Sequence, residues 1–160
     1  MQTREQDEKF LQIAIDLSLN KMNEGHGGPF GAIIVCDEEI IAEGWNQVTS
    51  TNDPTAHAEM VAIRKACNKV KHFELKDCVI YTSCEPCPMC LGGIYWARFK
   101  RVVYANTRED AKNIGFDDGH IYDEIASPHS KRKIEFCHCP STNALNVFNE
   151  WTKKNDKIDY

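Results

Sequence analysis

The chain has 160 residues, 42% of them hydrophobic and 27% charged, with a formal net charge of −5. That length suits one domain with a full core and is short for two. The composition excludes disorder as the default state, and the acidic balance argues against a partner gripped by its phosphates, such as a large nucleic acid.

The opening Met1-Gln2-Thr3-Arg4-Glu5 is polar and unlike a secretion signal. No stretch approaches a membrane span, so a cytoplasmic protein with no membrane partner is expected. In that reducing compartment the eight cysteines read as thiols or metal ligands rather than a disulfide framework.

The first predicted element is a helix from about Gln6 to Met22. Phe10, Ile13 and Leu17 form one apolar stripe, with Leu11, Ile15 and Met22 beside it. So wide an apolar face suits a helix lying on a sheet. Gly25-His26-Gly27-Gly28-Pro29 ends it. Phe30–Cys36 and Ile40–Trp45 read as a hairpin around Asp37-Glu38-Glu39, and the polar stretch from Asn46 to Pro54 as a loop. Thr55 is placed to cap a helix running to about Val70, with Ile63, Ala66, Cys67 and Val70 on its apolar face.

Cys78–Thr82 is a compact apolar run, as in a strand covered on both faces. Pro88 then sits near the first position of another helix. Met89, Leu91, Ile94, Tyr95, Trp96 and Ala97 leave that helix almost no polar face. In so small a chain, part of its cover is expected from a second subunit, hence a homodimer. Arg101–Ala105 is a further strand and Ile134–Cys137 a last one. Thr142 is placed to cap a final helix through Trp151. Alternation of this kind implies a three-layer α/β domain, 1–160, with a mixed sheet.

Two segments carry chemistry: His57-Ala58-Glu59 and Pro86-Cys87-Pro88-Met89-Cys90. Together they form the His-x-Glu and Pro-Cys-x-x-Cys pattern of zinc deaminases. Zinc accepts imidazole nitrogen and thiolate sulfur, and a catalytic zinc keeps three protein ligands and one open position. His57, Cys87 and Cys90 supply those three. Cys87 and Cys90 are spaced to share the first turn of a helix, whose N-terminus favours thiolates. His57 and Glu59, two residues apart, reach one ion only if it lies off a helix end, so two helix N-termini should converge on it. Glu59 is the proton carrier rather than a ligand. A structural zinc, with Cys84 as a fourth ligand, or an iron–sulfur cluster completed by Cys139, is the non-catalytic alternative. It leaves His57-Ala58-Glu59 unexplained, and the iron–sulfur run would need a cysteine where Ile94 stands.

Asp53-Pro54-Thr55-Ala56-His57-Ala58-Glu59 with Ser83-Cys84-Glu85-Pro86-Cys87-Pro88-Met89-Cys90 resembles the cytidine deaminase-like superfamily. Gly27–Ala32, Ile94–Arg98, Gly115-Phe116-Asp117-Asp118, Ile121-Tyr122 and the closing Tyr160 extend the resemblance to the bacterial guanine deaminases, over nearly the whole chain. It implies a three-layer α/β/α fold with a five-stranded mixed sheet, and a homodimer whose C-terminal helix and tail, about 141–160, are exchanged between subunits. It also implies one zinc per subunit and hydrolysis of guanine, a small purine base, to xanthine and ammonia. At matching positions, Asn46 would hydrogen-bond the purine, Phe30 stack on it, Asp118 accept from a ring N–H and Tyr160 close over it. Ala58 would contact the substrate, and the Ser83 carbonyl and the Glu85 region would line the amino-group side of the pocket.

On the residues alone Asn46 reads as a turn, Phe30 as core, Asp117-Asp118 as a cap and Tyr160 as a frayed end. Rival substrates are tRNA adenosine, guanosine, cytosine and ammeline. Cys36, Cys67 and Cys78 fall in apolar positions and read as core. Cys137-His138-Cys139 reads as a reduced strand end, and Lys131-Arg132-Lys133 as a solvated loop.

Overall fold

The computed structural model describes residues 3–160; Met1 and Gln2 of the polar opening lie outside them. The chain falls into two compact units, one running to Gly119 and the other from His120 to Tyr160.

In the first unit, α1 (Arg4–Asn23) begins at a reciprocal cap: Thr3 Oγ1 accepts from the Gln6 N–H, and Gln6 Oε1 from the Thr3 N–H. Its buried Phe10 and Ala14, with Leu11, Ile13 and Leu17, pack on Ile33, Val35, Val79 and Tyr81 on one face of the sheet. The strands are β1 (Gly31–Cys36), β2 (Glu39–Trp45), β3 (Cys78–Cys84) and β4 (Arg101–Asn106). A two-residue turn joins β1 to β2, with Asp37 and Glu38 both at positive φ, the geometry that matches strand twist. The short α2 (Val48–Thr51) and then α3 (Ala58–Val70) follow, and α4 (Pro88–Trp96) crosses from β3 to its parallel neighbour β4. The sheet order is β2-β1-β3-β4, with β1 antiparallel to both neighbours. Ala58, Ala62, Ile63 and Ala66 of α3 and Ile94 of α4 fill the core on the second face with Ala32, Ile34 and Ile80. The three layers and the mixed sheet are thus present.

Several expectations need correction. Among the described residues the sheet has four strands, not five. The segment Ile134–Cys137 forms no ladder: Phe136 stacks instead on His129, 4.9 Å between ring centroids, with the Arg132 guanidinium over its face. Thr55 does not cap α3. Asp53 Oδ1 accepts from both its N–H and its hydroxyl, and α3 begins at Ala58 with His57 as its N-cap residue. Thr142 is the first residue of α7 (Thr142–Lys153) rather than its cap, which is Ser141. Part of the Asn46–Pro54 loop forms α2.

Cys78 is buried in the core and Cys36 packs against it, as expected, but they are not free thiols: they form the end pair of the β1–β3 register, Cα atoms 4.4 Å apart, and are joined by a disulfide. Cys67, Cys84, Cys87, Cys90, Cys137 and Cys139 are free.

After β4 come α5 (Arg108–Asn113), with its own cap from Thr107 and Asp110, and the Gly115–Asp118 segment. Helix α6 (Gly119–Ala126) begins on the last residue of the first unit and otherwise belongs to the second, which also carries α7. Leu145, Val147, Phe148 and Trp151 of α7 are exposed. Among the described residues no helix is long and apolar enough to cross a membrane.

Candidate active site

Three backbone features bring the functional side chains to one end of the sheet, where β2, β3 and β4 finish and β1 starts. First, α3 and α4 both begin there, with His57 and Cys87 as their N-cap residues in extended backbone (ψ 155° and 168°). Neither side chain caps its own helix, so the imidazole and the thiol are turned over to each other. Second, Gly93 lets α4 close on α3, since a Cβ there would meet the Met60 sulfur at 2.8 Å. Third, Gly44 in β2 passes beneath the first turn of α3, where a Cβ would stand 2.1 Å from the Ala58 carbonyl oxygen. The two helix N-termini converge as the sequence pattern demanded.

At the convergence, Cys87 Sγ lies 3.5 Å and Cys90 Sγ 3.6 Å from His57 Nδ1, and the three donor atoms all fall within 4.8 Å of one another. A tetrahedral zinc with Zn–S near 2.3 Å and Zn–N near 2.0–2.1 Å sets an S···N edge of about 3.6 Å, so the triad fits the ion. The protonation pattern fits too. The Cys87 thiol is drawn down to about 4, first by its hydrogen bond with Cys90 and then by the His57 imidazole. Cys90 is driven up, first by Cys87 and then by burial. Two thiols this close share one proton until a cation lets both ionise. His57 is raised by its bond to Cys87. Cys84, the candidate fourth ligand of a structural site, stands apart from the triad: its Sγ contacts the Thr107 carbonyl at 3.6 Å, and burial lifts its thiol to about 11.

Glu59, the second residue of α3, is 6% exposed. Burial pushes its carboxyl up, opposed by its own backbone N–H. Oε1 accepts from the Thr82 hydroxyl at 3.2 Å, and Oε2 lies 3.5 Å from Cys90 Sγ. Glu59 is thus a buried carboxyl group beside the triad and outside it, an arrangement able to exchange protons.

Asn46, buried at the end of β2, has its amide orientation fixed: Oδ1 accepts from the Gly28 N–H at 3.2 Å and the Val48 N–H at 3.3 Å. The NH2 group is thereby left as the available donor. Gly27 is packed on this residue, where a Cβ would lie 2.4 Å from the Asn46 carbonyl oxygen. Phe30 follows and meets Phe116 edge-to-face at 4.9 Å, which ties the Gly115–Asp118 segment to the site. The Asp118 carboxyl is raised, by burial first and then by Cys87, with Arg108 opposing. Its neighbour Asp117 instead accepts the Gly119 N–H.

Ala58 is fully buried at the first position of α3. The Ser83 hydroxyl accepts from the Gly31 N–H at 3.0 Å, pinning β3 to β1. The Glu85 carboxylate accepts from the Arg108 N–H at the start of α5, a structural use distinct from the pocket-lining role expected near it. Tyr160 belongs to the second unit, 70% exposed. The contact from Thr82 to Glu59 was not anticipated. The only sequence signal for it is a hydroxyl at the end of an otherwise apolar buried run.

Residues 4–106 match the cytidine and deoxycytidylate deaminase zinc-binding region. The chain is 54% identical over 153 residues to the guanine deaminase of Bacillus subtilis, covering 96% of this chain and 98% of that one. The crystal structure of that guanine deaminase superposes with a TM-score of 0.94 over the same shares. A tRNA-specific adenosine deaminase of Aquifex aeolicus is 32% identical over 92% of this chain and 94% of its own. The solved guanine deaminase of Nitrosomonas europaea is 30% identical, with a TM-score of 0.64 over 69% of this chain and 64% of that one. The triad of one imidazole and two thiolates, set at zinc-edge spacing inside the matched region, places the chain in the cytidine and deoxycytidylate deaminase zinc-binding family.

Proposed function

We propose that this chain hydrolyses guanine to xanthine and ammonia. The observation that carries the reading is the likeness to the B. subtilis guanine deaminase, 54% identical over 96% of this chain and 98% of that one. His57, Cys87 and Cys90 would hold a zinc ion, whose Lewis acidity would lower the pKa of water at the site to about 7.

Glu59 takes the water proton, delivers it to a purine ring nitrogen beside C2, and later hands a proton to the departing amine. The C2–N bond breaks, a C2–O bond forms, and water and guanine balance xanthine and ammonia. Asn46 offers its fixed NH2 to an acceptor on the purine, and Asp118 accepts from a ring N–H. Phe30 flanks the base, while Ala58 and the Ser83 carbonyl line the side where the amino group sits. Tyr160 closes the site.

The chain works in the cytoplasm as a homodimer with exchanged C-terminal segments, a single domain per subunit, and no nucleic acid or membrane partner. The exposed Tyr95 and Trp96 on α4, at 76% and 66%, and the exposed apolar residues of α7 support a second subunit as their cover. A monomeric mass at micromolar concentration would remove the dimer.

The test is ammonia release from guanine, guanosine, adenine, cytosine, ammeline and a tRNA anticodon stem-loop by zinc-replete protein. Guanine is expected to exceed every other substrate in kcat/KM. Release from the stem-loop or cytosine without release from guanine would overturn the reading.

A further inference from the structure

We infer that Thr82 is a positioning residue for the reaction: its hydroxyl holds the Glu59 carboxylate at the angle from which proton transfer occurs. This rests on the assignment of Glu59 as the proton carrier in guanine deamination.

Thr82 is 1% exposed and lies in β3, paired with Ala32 of β1. Its Oγ1 donates to Glu59 Oε1 at 3.2 Å, linking the sheet to the first turn of α3. The other carboxylate oxygen is met by Cys90 Sγ at 3.5 Å. That second contact is a donor only while Cys90 carries its proton. When zinc takes both cysteines as thiolates, Cys90 has nothing to donate and its charge opposes the carboxylate. The Thr82 hydroxyl, by contrast, keeps its proton to donate when the metal is bound.

Thr82 is also well suited to hold an angle. A β-branched side chain on a buried strand has few rotamers open to it, so the hydroxyl position is set by the backbone. Glu59 has three side-chain torsions, and the hydroxyl fixes rotational freedom that burial alone leaves to its carboxylate. Positioned proton transfer contributes on the order of 10²–10⁴ in rate, so a loosened carboxylate forfeits part of that.

The experiment compares Thr82→Val, which keeps shape and removes the hydroxyl, with Thr82→Ser, which keeps the hydroxyl. Steady-state kinetics on guanine, zinc content and thermal midpoint are measured on each. Thr82→Val should lose about ten- to 100-fold in kcat with KM within about twofold and zinc content unchanged, and Thr82→Ser should return to within about threefold of the parent. A purely structural role would lower the midpoint without a kcat-specific loss that serine restores. Parent-like kcat in Thr82→Val, a serine variant no better than valine, or a loss that follows zinc content would each overturn the inference. If the unaltered protein releases no ammonia from guanine, the functional assignment fails instead, and the two failures are thereby distinct.

Discussion

Gly44→Ala asks whether the spacing of β2 and α3 sets the site. The added Cβ would stand 2.1 Å from the Ala58 carbonyl oxygen and 2.6 Å from the Ala62 nitrogen, both backbone atoms with no rotamer to give. Ordinary contact begins at 3.4 Å, so the first turn of α3 must retreat by about 1.3 Å from β2. That turn carries His57, Ala58 and Glu59, while Cys87 and Cys90 ride on α4 and stay behind. Overpacking of this kind costs about 1–3 kcal/mol, which at about 2–4 °C per kcal/mol for a chain of this size lowers the midpoint by roughly 2–12 °C without abolishing the fold. A misplacement near 1 Å at the reacting groups costs on the order of 100-fold. The assays are circular dichroism melting, zinc stoichiometry and kcat/KM on guanine. A folded variant with parent kcat/KM and parent zinc affinity would refute the claim that this close approach positions the triad and Glu59.

Three further outcomes follow from the same geometry. Glu59→Gln keeps the shape of a buried side chain and should retain zinc while losing about 10²–10⁴ in kcat; retained turnover would remove Glu59 from the mechanism. Because burial raises the Glu59 carboxyl, the fold favours its neutral form, so metal-free Glu59→Gln should melt no lower than the metal-free parent at neutral pH. Asn46→Ala removes the amide donor and frees the Gly28 and Val48 N–H groups. Loss of about 1–3 kcal/mol predicts a fall in kcat/KM of about five- to 150-fold, and unchanged kinetics would dismiss it as a contact.

Away from the site, the Tyr81 hydroxyl donates to Asp7 at 2.8 Å and Arg101 pairs with the same carboxylate. Burial first, then Asp7, lifts the phenol to about 12. A raised phenol stabilises the fold below its unfolded value, near 10, and that contribution is lost as pH climbs from about 10 to about 12. Tyr81→Phe should flatten the loss in that window, and an unchanged profile would contradict it.

The zinc triad was legible because its ligands are defined by local spacing. Cys87 and Cys90 sit at the cap and third position of one helix, and His57 caps another. Apolar runs announced β1 and β3, and apolar stripes at helical spacing announced α1, for the same reason. What the sequence hid depends on contacts made across the fold. The pairing of Cys36 with Cys78 needs the β1–β3 register, which no spacing of 42 residues reveals. Thr55 has the chemistry of a helix cap, but Asp53 claims it first. Ile134–Cys137 alternates like a strand, yet Phe136 is taken by His129 and Arg132. Thr82 could pass for one more β-branched residue of a buried strand until α3 brings a carboxylate against it.

The central claim is a metal with three protein ligands and one position left for water. X-ray absorption at the zinc edge on the loaded protein tests it most directly. Two sulfurs at about 2.3 Å with two nitrogen or oxygen neighbours at about 2.0–2.1 Å are predicted. Three or four sulfurs would mean that Cys84 or another thiol has closed the site, and the deaminase account would be wrong.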